Sequence, residues 1–383
     1  MVGSSNPTMI SLFSGAMGLD LGFEMEDFDI CVTLDNDKDV IATIKKNRKK
    51  IPIIPDDIFK IPTAKILKEA HLKRGEVTVV TGGPPCQPFS TAGNRKAVSE
   101  KKGTLIYQFL RVIKESQPKF FVFENVSGIV SAARKRTSFY ERIKKKQEDL
   151  DPHERLGSAF VRFIEEFKKI RTLNGNYYKI NYAVLNSADF GVPQKRKRFI
   201  LIGSRNGKKI ALPTPTHGKP GTNEVKSGER KPWVTLREAL KGLVDNSPEY
   251  LPFPKSWGKY MQYIPEGGCW RDLPKELHKE ALAGAYDSEG TGKKGGRTGF
   301  YRRLSWNKPA PTLLASPIHK ASVIAHPVEN RPLTVKEYAR LQGFPDNWEF
   351  IDSIPAKYRL IGQAVPIQLG RAIAEKIFKE NNL

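Results

Sequence analysis

The chain has 383 residues, a formal net charge of +23 and a sequence pI of about 9.8. Its length predicts about two domains with ample material for a hydrophobic core. Three cysteines (Cys31, Cys86 and Cys269) make no disulfide framework, the six histidines form no ligand pair at helical spacing, and no apolar run reaches membrane length. These features exclude a disulfide-stapled secreted domain and argue against a metal site and a membrane span, so we expect a cytoplasmic protein.

Strands and helices are predicted to alternate through the first half of the chain. The predicted strands lie at residues 9–13, 29–34, 77–81, 120–123, 178–185 and 199–203. Helices are predicted at residues 18–23, 38–50 and 104–116, with a very basic helical stretch at 134–146. This order predicts an α/β fold with a mostly parallel sheet, whose ligands bind beyond the carboxyl ends of the strands.

The composition changes after about Lys208. Glycine, proline and tryptophan become frequent and regular periodicity fades until Leu333, which predicts a second, loop-rich domain. A clear amphipathic helix at residues 367–378 follows. We therefore expect one domain of residues 1–208, completed by residues 357–383, and a smaller one of residues 209–356.

One cysteine is bracketed by prolines in the segment GGPPCQPFS at residues 82–90, directly after a predicted strand. Proline fixes φ and restricts the residue before it, so a stiff loop presents the thiol of Cys86. A nucleophile must be aimed in this way, whereas a buried structural cysteine needs no such bracket. Cys86 is therefore a predicted nucleophile, and a structural cysteine is the alternative.

Two features near the amino terminus suit a ligand that carries a nucleoside. The segment FSGAMG at residues 13–18 follows the first strand, and its glycines allow close approach to the backbone. Asp35 closes the second strand, at about the distance where an acid meets ribose hydroxyls in dinucleotide-binding folds. The segment is neither GxGxxG nor a phosphate-binding loop. Taken alone, each feature is more often a turn glycine or a helix N-cap.

Three further charged residues are predicted to carry chemistry. Glu124 ends the strand at 120–123, where it is a candidate general acid or a simple cap. Arg196 and Arg198 alternate on a strand and are expected to point the same way. Two parallel guanidinium groups suit a phosphate or a polarised carbonyl, with a solvated strand edge as the alternative.

The chain resembles the cytosine-C5 DNA methyltransferases of bacterial type over almost its whole length. Six segments match that family's motifs in the family's order, which makes chance very improbable. They are residues 13–18 (cofactor loop), 85–87 (PCQ, nucleophile), 124–126 (ENV, acid), 194–198 (QKRKR), 331–346 (RPLT and following) and 362–366 (GQAVP, cofactor). Two positions depart from the pattern, because Met17 replaces a frequent glycine and Gln363 a usual asparagine.

The resemblance implies an S-adenosylmethionine-dependent methyltransferase with a Rossmann-like catalytic domain and a target-recognition domain. Cys86 would attack C6 of cytosine, and Glu124 would hydrogen-bond N3. Arg196 would support the base carbonyl and help to position Glu124, while Arg198 would brace the loop or a phosphate. S-adenosyl-L-methionine would donate the methyl group and leave as S-adenosyl-L-homocysteine. The implied cofactor-binding residues are Phe13, Gly15, Ala16, Gly18, Asp35, Asn36, Asp57, Ile58, Pro85, Leu105, Gln363 and Val365.

The implied substrate is double-stranded DNA with a cytosine turned out of the helix. A polar loop at residues 87–103 would close over the flipped base, and arginines at residues 295–303 would read guanine edges. The DNA-binding residues expected on this basis are Gln87, Ser90, Arg95, Arg297, Arg302, Arg303 and Thr312. The large positive charge fits a polyanion partner, although a surface of solvated lysines explains it equally well.

The resemblance also implies a restriction-modification system in which a cognate endonuclease accompanies the enzyme, and it requires no stable protein partner. Three alternatives stay open. The chain could be an RNA cytosine-C5 methyltransferase on the same fold, a catalytically silent DNA-binding protein, or a nicotinamide oxidoreductase with a reactive cysteine. The intact set of Cys86, Glu124 and arginines argues against the second, and the missing GxGxxG against the third.

Overall fold

Strands and helices alternate through the first half of the chain, as predicted. The computed structural model describes residues 6–85, 105–133, 147–282, 300–319 and 323–381. The strands are β1 (Thr8–Leu12), β2 (Asp29–Leu34), β3 (Ile53–Ile54), β4 (Val79–Gly82), β5 (Phe120–Val126), β6 (Lys179–Asn186), β7 (Gln194–Lys195), β8 (Lys197–Ser204), β9 (His217–Gly218), β10 (Lys231–Pro232), β11 (Arg302–Arg303), β12 (Ala310–Pro311) and β13 (Ile324–Ala325).

Helices connect most of the longer strands. They are α1 (Gly18–Glu24), α2 (Lys38–Asn47), α3 (Thr63–Glu69), α4 (Leu105–Ser116), α5 (Ser158–Lys168), α6 (Asn223–Lys226), α7 (Leu236–Leu240), α8 (Lys255–Gly258), α9 (His278–Ala281), α10 (Val335–Leu341), α11 (Ile354–Gln363) and α12 (Ile367–Asn381). Short 3-10 helices cover Ser127–Ser131, Gln147–Asp149, Ser187–Phe190, Lys259–Tyr263, Trp270–Asp272 and Lys275–Leu277. The predicted basic helix at 134–146 lies outside the described residues.

Contacts divide the chain into two units. The first consists of Met1–Asn186, Lys197–Thr214 and Leu369–Leu383, and the second of Ser187–Arg196 and Pro215–Gln368. This division differs from the expected ranges chiefly because residues 187–196 and 357–368 belong to the second unit. Residues 187–196 do so because β7 pairs with β12.

The first unit is built on a seven-stranded sheet with the strand order β3-β2-β1-β4-β5-β8-β6. The five strands from β3 to β5 are parallel, and β8 runs antiparallel to both β5 and β6. The predicted mostly parallel α/β sheet is thus confirmed. The sequence did not predict β3 or α3, since a two-residue strand and a seven-residue helix are too short to produce a readable periodicity.

Aromatic side chains fill the core on one face of this sheet. The rings of Phe109, Phe123 and Phe167 meet edge to face or tilted, with centroids 5.4–6.4 Å apart. Strand β5 carries the run FFVF, which is fully buried because helices cover both faces of a parallel sheet. Gly203 allows this packing, since a Cβ there would lie 2.1 Å from the Phe121 ring.

The second unit has short elements and a core of its own, as the glycine- and proline-rich composition predicted. Tyr260, Met261, Ile264 and Tyr301 are buried in that core. The longest regular piece is α11, and Thr334 and Glu337 form a capping box at the start of α10. Among the residues that the structure describes, no helix is both long and apolar enough to cross a membrane.

Candidate active site

The carboxyl ends of three parallel strands bring the predicted ligand residues of the first unit together. Leu12 of β1 is in register with Leu34 of β2 and with Gly82 of β4. The segments that follow these strands therefore begin at one edge of the sheet: the loop from Phe13, Asp35, and the stem of the loop that carries Cys86. This is the edge at which open α/β sheets bind their ligands.

The loop at residues 13–17 is held in an unusual backbone conformation. Phe13, Gly15 and Met17 all have positive φ, at 55°, 51° and 64°. The Phe13 amide donates to the carbonyl of Leu34 at 2.8 Å, which ties the loop to β2. A Cβ at Gly15 would meet no atom within 4 Å, so the backbone here faces open space. The loop thus offers accessible peptide groups to a ligand.

Met17 stands where the resembled family often has glycine, and two opposing effects decide what glycine would do there. A left-handed conformation costs a non-glycine residue about 1–2 kcal/mol. Met17 is fully buried, and burying such a side chain contributes about 1.5–3 kcal/mol. We expect Met17→Gly to lower the free energy of unfolding by about 1 kcal/mol, and Met17→Ala to lower it more, because alanine keeps the strain. Urea denaturation measures both, and a Met17→Ala variant more stable than Met17→Gly would contradict this account.

Asp35 links two parts of this edge. Its Oδ2 accepts from the Gly15 amide and its Oδ1 from the Asp37 amide, each at 3.0 Å. Burial raises the pKa of Asp35, and these two hydrogen bonds oppose the shift. The neighbouring Asn36 is exposed. The Asp35 carboxylate is therefore fixed beside the loop, where it could receive a pair of hydroxyl groups.

Apolar residues border the same edge. Ile58 is buried in the core of the first unit, and Phe13 and Leu105 pack against that core. Asp57 accepts from the Phe59 amide at 3.1 Å, which closes the turn before Ile58. Ala16 and Gly18 are buried, and Pro85 is exposed.

Arg111 is a positioning residue that the sequence analysis missed. Its Nη2 donates to the carbonyls of Ile58 and Ile61, both at 2.9 Å, so it holds the turn that carries Asp57 and Ile58. Arg111 also lies four residues before Glu115, and the two charged groups are 3.6 Å apart. In the sequence this spacing is typical of an ordinary ion pair on a solvated helix. The sequence therefore gave no sign of this role.

Glu124 and Arg198 form a buried ion pair in the first unit. Arg198 Nε lies 2.9 Å from Glu124 Oε1, and each residue is 8% exposed. Burial lowers the pKa of the Arg198 guanidinium, and the Glu124 carboxylate opposes that shift. The sequence had predicted that the strand ends at residue 123, just before Glu124. In the structure β5 continues to Val126, so Glu124 lies within the strand.

The stem, residues 83–85 before Cys86, contacts strand β5. Asn125 Nδ2 donates to the carbonyl of Pro84 at 3.1 Å. A Cβ at Gly83 would lie 2.7 Å from Glu124 Oε2, so glycine lets the carboxylate lie against the stem. Cys86 itself, together with Gln87, Ser90, Arg95 and Arg297, lies outside the described residues.

The contact with Glu124 that we expected of Arg196 is made by Arg198. Arg196 belongs to the second unit and is 1% exposed. Its Nη1 donates to the carbonyl of Leu313 at 2.8 Å, and its Nη2 to that of Gly362 at 2.7 Å. The two arginines were expected to alternate on one strand, but the strand is interrupted at Arg196, between β7 and β8.

Arg196 is part of a buried polar network that joins several motifs of the second unit. Gln194 Nε2 donates to Gln342 Oε1 at 2.9 Å, and Gln194 Oε1 accepts from the Leu313 amide at 2.9 Å. A Cβ at Gly362 would lie 2.3 Å from the carbonyl oxygen of Leu314. In the same unit Gln363 is exposed and Val365 is buried. Residues 194–196 of the QKRKR segment are thus joined to Gly362 of the GQAVP segment within this unit.

Three of the expected DNA-binding residues, Arg302, Arg303 and Thr312, lie among the described residues of the second unit, and they differ in burial and in hydrogen bonding. Arg303 is 6% exposed, and all five of its N–H groups are bonded, to the carbonyls of Met261, Ile264, His326 and Glu329 and to the side chain of Asn330. This arrangement does not fit the expected groove contact, because no donor is left for DNA. The Thr312 hydroxyl donates to the carbonyl of Lys195 at 2.9 Å. Arg302 is half-buried, and its Nε has no hydrogen-bond partner among the described residues.

Known proteins resemble this chain over nearly its full length. It is 35% identical over 389 residues to the Type II methyltransferase M.PspPI of a Psychrobacter species, covering 99% of this chain and 80% of that protein. It is 33% identical to the Type II methyltransferase M.Eco47II of Escherichia coli, covering 97% and 78%. The fold matches the solved structure of the S. pombe Dnmt2 methyltransferase with a TM-score of 0.59 at 16% identity, covering 98% of this chain and all of that one.

One protein family matches nearly the whole chain. The C-5 cytosine-specific DNA methylase family matches residues 7–379, which include every segment on which the resemblance rested. The α/β fold with its mostly parallel sheet is thus shared with the solved S. pombe Dnmt2 methyltransferase. From the strand edge, the buried Glu124–Arg198 pair and these matches together, we conclude that the chain belongs to the C-5 cytosine-specific DNA methylase family.

Proposed function

We propose that the protein transfers a methyl group from S-adenosylmethionine to C5 of a cytosine within a specific duplex DNA sequence, through a covalent bond between Cys86 and C6 of the base. The observation that carries this proposal is the buried pair of Glu124 and Arg198 beside the stem of the Cys86 loop. The described residues 83–85 end beside this pair, so the proposal sets the nucleophile that follows them next to an acid and a fixed positive charge. Attack on a pyrimidine ring needs this combination.

In this mechanism the thiolate of Cys86 adds to C6, and Glu124, carrying or sharing a proton, hydrogen-bonds N3 to draw charge from the ring. A free thiol has a pKa of about 8.5, so positive charge nearby favours the attacking thiolate. Arg198 holds Oε1 of Glu124, which orients the carboxyl group toward the base. Once C5 carries the methyl group, it loses its proton and Cys86 is expelled as the thiolate, which restores the aromatic ring.

The residues at the strand edge fit S-adenosylmethionine, whose sulfonium supplies an activated methyl group. Asp35 is placed to receive the ribose hydroxyls, and Phe13, Ile58 and Leu105 offer an apolar border for the adenine. Gly15 leaves room for the methionine part. The remaining cofactor residues of the proposal are Ala16, Gly18, Asn36, Asp57, Pro85, Gln363 and Val365.

Duplex DNA is the proposed substrate. The net charge of +23 suits a polyanion, and the relatives M.PspPI and M.Eco47II are named as Type II methyltransferases. The first unit would carry the cofactor and the chemistry, and the second would recognise the target. A flipped cytosine would be covered by the loop that bears Gln87, Ser90 and Arg95. A cognate restriction endonuclease and a cytoplasmic location belong to the same proposal.

Arg302 and Arg303 provide a matched pair for testing the recognition role of the second unit. We expect Arg302→Ala to weaken binding to the target duplex about tenfold to hundredfold without loss of stability, because Arg302 is only half-buried and its Nε is not committed to a partner among the described residues. Arg303→Ala should instead lower the stability of the protein by at least about 3 kcal/mol, because it leaves buried carbonyls unpaired. Gel-shift titration and thermal melting separate the two effects. Equal stability losses in both variants would contradict the assignment.

Bisulfite sequencing of plasmid from expressing cells that lack other cytosine methylation tests the function directly. We expect full conversion resistance at one cytosine of one short sequence. Purified protein should transfer methyl groups to duplex DNA and not to tRNA, and a duplex with 5-fluorocytosine at the target should trap it covalently. Methylation of tRNA alone would identify an RNA enzyme, and binding without trapping would identify a silent DNA-binding protein.

A further inference from the structure

Gln342 is a buried polar residue to which the proposed mechanism gives no role. It directly follows α10 in the second unit and is 0% exposed. Its Nε2 donates to the carbonyl of Ile361 at 2.6 Å and to that of Ala364 at 3.3 Å. Its backbone carbonyl accepts from the Ile367 amide at 3.0 Å. One residue therefore bonds the end of α11, the turn after it and the start of α12.

The end of α11 needs partners from outside the helix because a proline follows it. The last carbonyls of a helix lack the usual donor four residues further on, and Pro366 has no N–H to offer the carbonyl of Gly362. Arg196 Nη2 donates to that carbonyl instead, at 2.7 Å. Gln342 bonds the carbonyl of Ile361, one residue earlier. Two buried side chains thus hold the backbone where the helix stops.

A second glutamine fixes the orientation of the Gln342 amide. Gln194 Nε2 donates to Gln342 Oε1 at 2.9 Å, and Gln194 Oε1 accepts from the Leu313 amide at 2.9 Å. Because the oxygen of Gln342 faces a donor, its amino group is left to face the carbonyls of Ile361 and Ala364. Both glutamines are fully buried, so bulk water does not compete for these hydrogen bonds. The amide is therefore held in one orientation.

We propose that Gln342 is a positioning residue for S-adenosylmethionine, because it holds the turn at residues 361–367 in the conformation that the cofactor meets. This inference rests on the proposed function, in which Gln363 and Val365 of that turn belong to the cofactor site. Gln342 is buried, so it acts through the backbone of the turn. A turn that is already ordered loses no conformational entropy when the cofactor binds, which favours a higher affinity.

A merely structural role for Gln342 makes a different prediction. If the residue only stabilised the second unit, its removal would lower the melting temperature, and the protein that stayed folded would bind the cofactor normally. The positioning role instead predicts that the folded variant binds both S-adenosylmethionine and S-adenosylhomocysteine more weakly, since both would meet the same turn. It also predicts a higher KM for S-adenosylmethionine at an unchanged kcat, because the turn contributes equally to ground-state and transition-state binding.

Isothermal titration calorimetry with Gln342→Met, well below its melting temperature, tests the proposal. Methionine is of similar length and donates no hydrogen bond. We expect both S-adenosyl ligands to bind about tenfold more weakly than to the wild type, because two buried hydrogen bonds to the turn are lost. Gel-shift titration should show duplex DNA binding within about twofold of the wild type, and kcat should stay within about twofold. Gln342→Asn, one carbon shorter, allows the same comparison if Gln342→Met does not fold.

The matched control is Gln368→Met, which removes a half-buried amide in α12 beside Gly343. Its Oε1 has no hydrogen-bond partner among the described residues, so all affinities should stay unchanged. Normal cofactor affinity in a folded Gln342→Met would overturn the inference and assign a structural role. An equal loss of cofactor and DNA binding, or the same loss in Gln368→Met, would overturn it as well. A wild-type protein that binds neither S-adenosyl ligand would overturn the proposed function too, which distinguishes that failure from the others.

Discussion

Replacement of Cys86 by alanine is expected to reduce methyl transfer by at least about a thousandfold while leaving most DNA binding intact. The reason is that without the thiolate no covalent bond to C6 forms, and C5 of cytosine is then too weak a nucleophile to accept the methyl group. Pro84, two residues before Cys86, accepts a hydrogen bond from Asn125, and the substitution changes neither of these residues. Transfer of a radiolabelled methyl group and gel-shift titration measure the two properties separately.

The matched control is Cys269→Ala, which removes the free, half-buried thiol of the second unit. It should keep wild-type activity and should still be trapped by a 5-fluorocytosine duplex, whereas Cys86→Ala should not be trapped. Wild-type turnover by Cys86→Ala would refute the nucleophile and with it the covalent mechanism. A thousandfold loss in Cys269→Ala as well would indicate that the assay reports damage to the protein and not chemistry.

Removal of Arg198 is expected to have the second-largest effect. Arg198→Ala leaves the Glu124 carboxylate buried without its partner, which typically costs about 3–5 kcal/mol of stability. Activity should fall by at least about a hundredfold, because Glu124 can no longer be held in place as an acid. Chemical denaturation and methyl transfer to a duplex measure these two losses.

A double variant separates the stability effect from the catalytic one. Arg198→Met combined with Glu124→Gln removes both charges, so most of the lost stability should return. Activity should stay low, because the amide of glutamine cannot act as an acid. If Arg198→Ala keeps wild-type stability and activity, the ion pair has neither role. Recovery of activity in the double variant would exclude Glu124 from the chemistry.

Several elements of the fold could be predicted because their signals are local. The strand at residues 29–34 was predicted with its observed bounds, since a short apolar run before Asp35 is followed by a helical pattern. The helix from Lys38 begins where predicted, and the Asp37 side chain caps it by accepting from the amides of Asp39 and Val40. Strand β3 and the direction of β8 have no local signal, because both depend on which strand lies beside them.

The candidate site was predictable to the extent that neighbours in sequence define it. The prolines around Cys86 and the glycines of residues 13–18 act through backbone conformation, which a residue carries wherever it lies. By contrast, the register between two strands decides which arginine contacts Glu124. In the antiparallel pairing of β5 with β8, Glu124 is opposite Ile200 and Val126 is opposite Arg198. Arg198 is thus the diagonal neighbour of Glu124 on the same face.

The sequence by itself determined the chemical groups available to this protein: a cysteine between prolines, the acid Glu124, a glycine-containing loop and Asp35 after the second strand. Only the tertiary structure decided their partners. It paired Glu124 with Arg198, and it buried Arg196 and Arg303 against backbone carbonyls. The physical reason is that backbone preferences depend on adjacent residues, whereas an ion pair or a buried charge depends on strand pairing and packing between segments far apart in the chain.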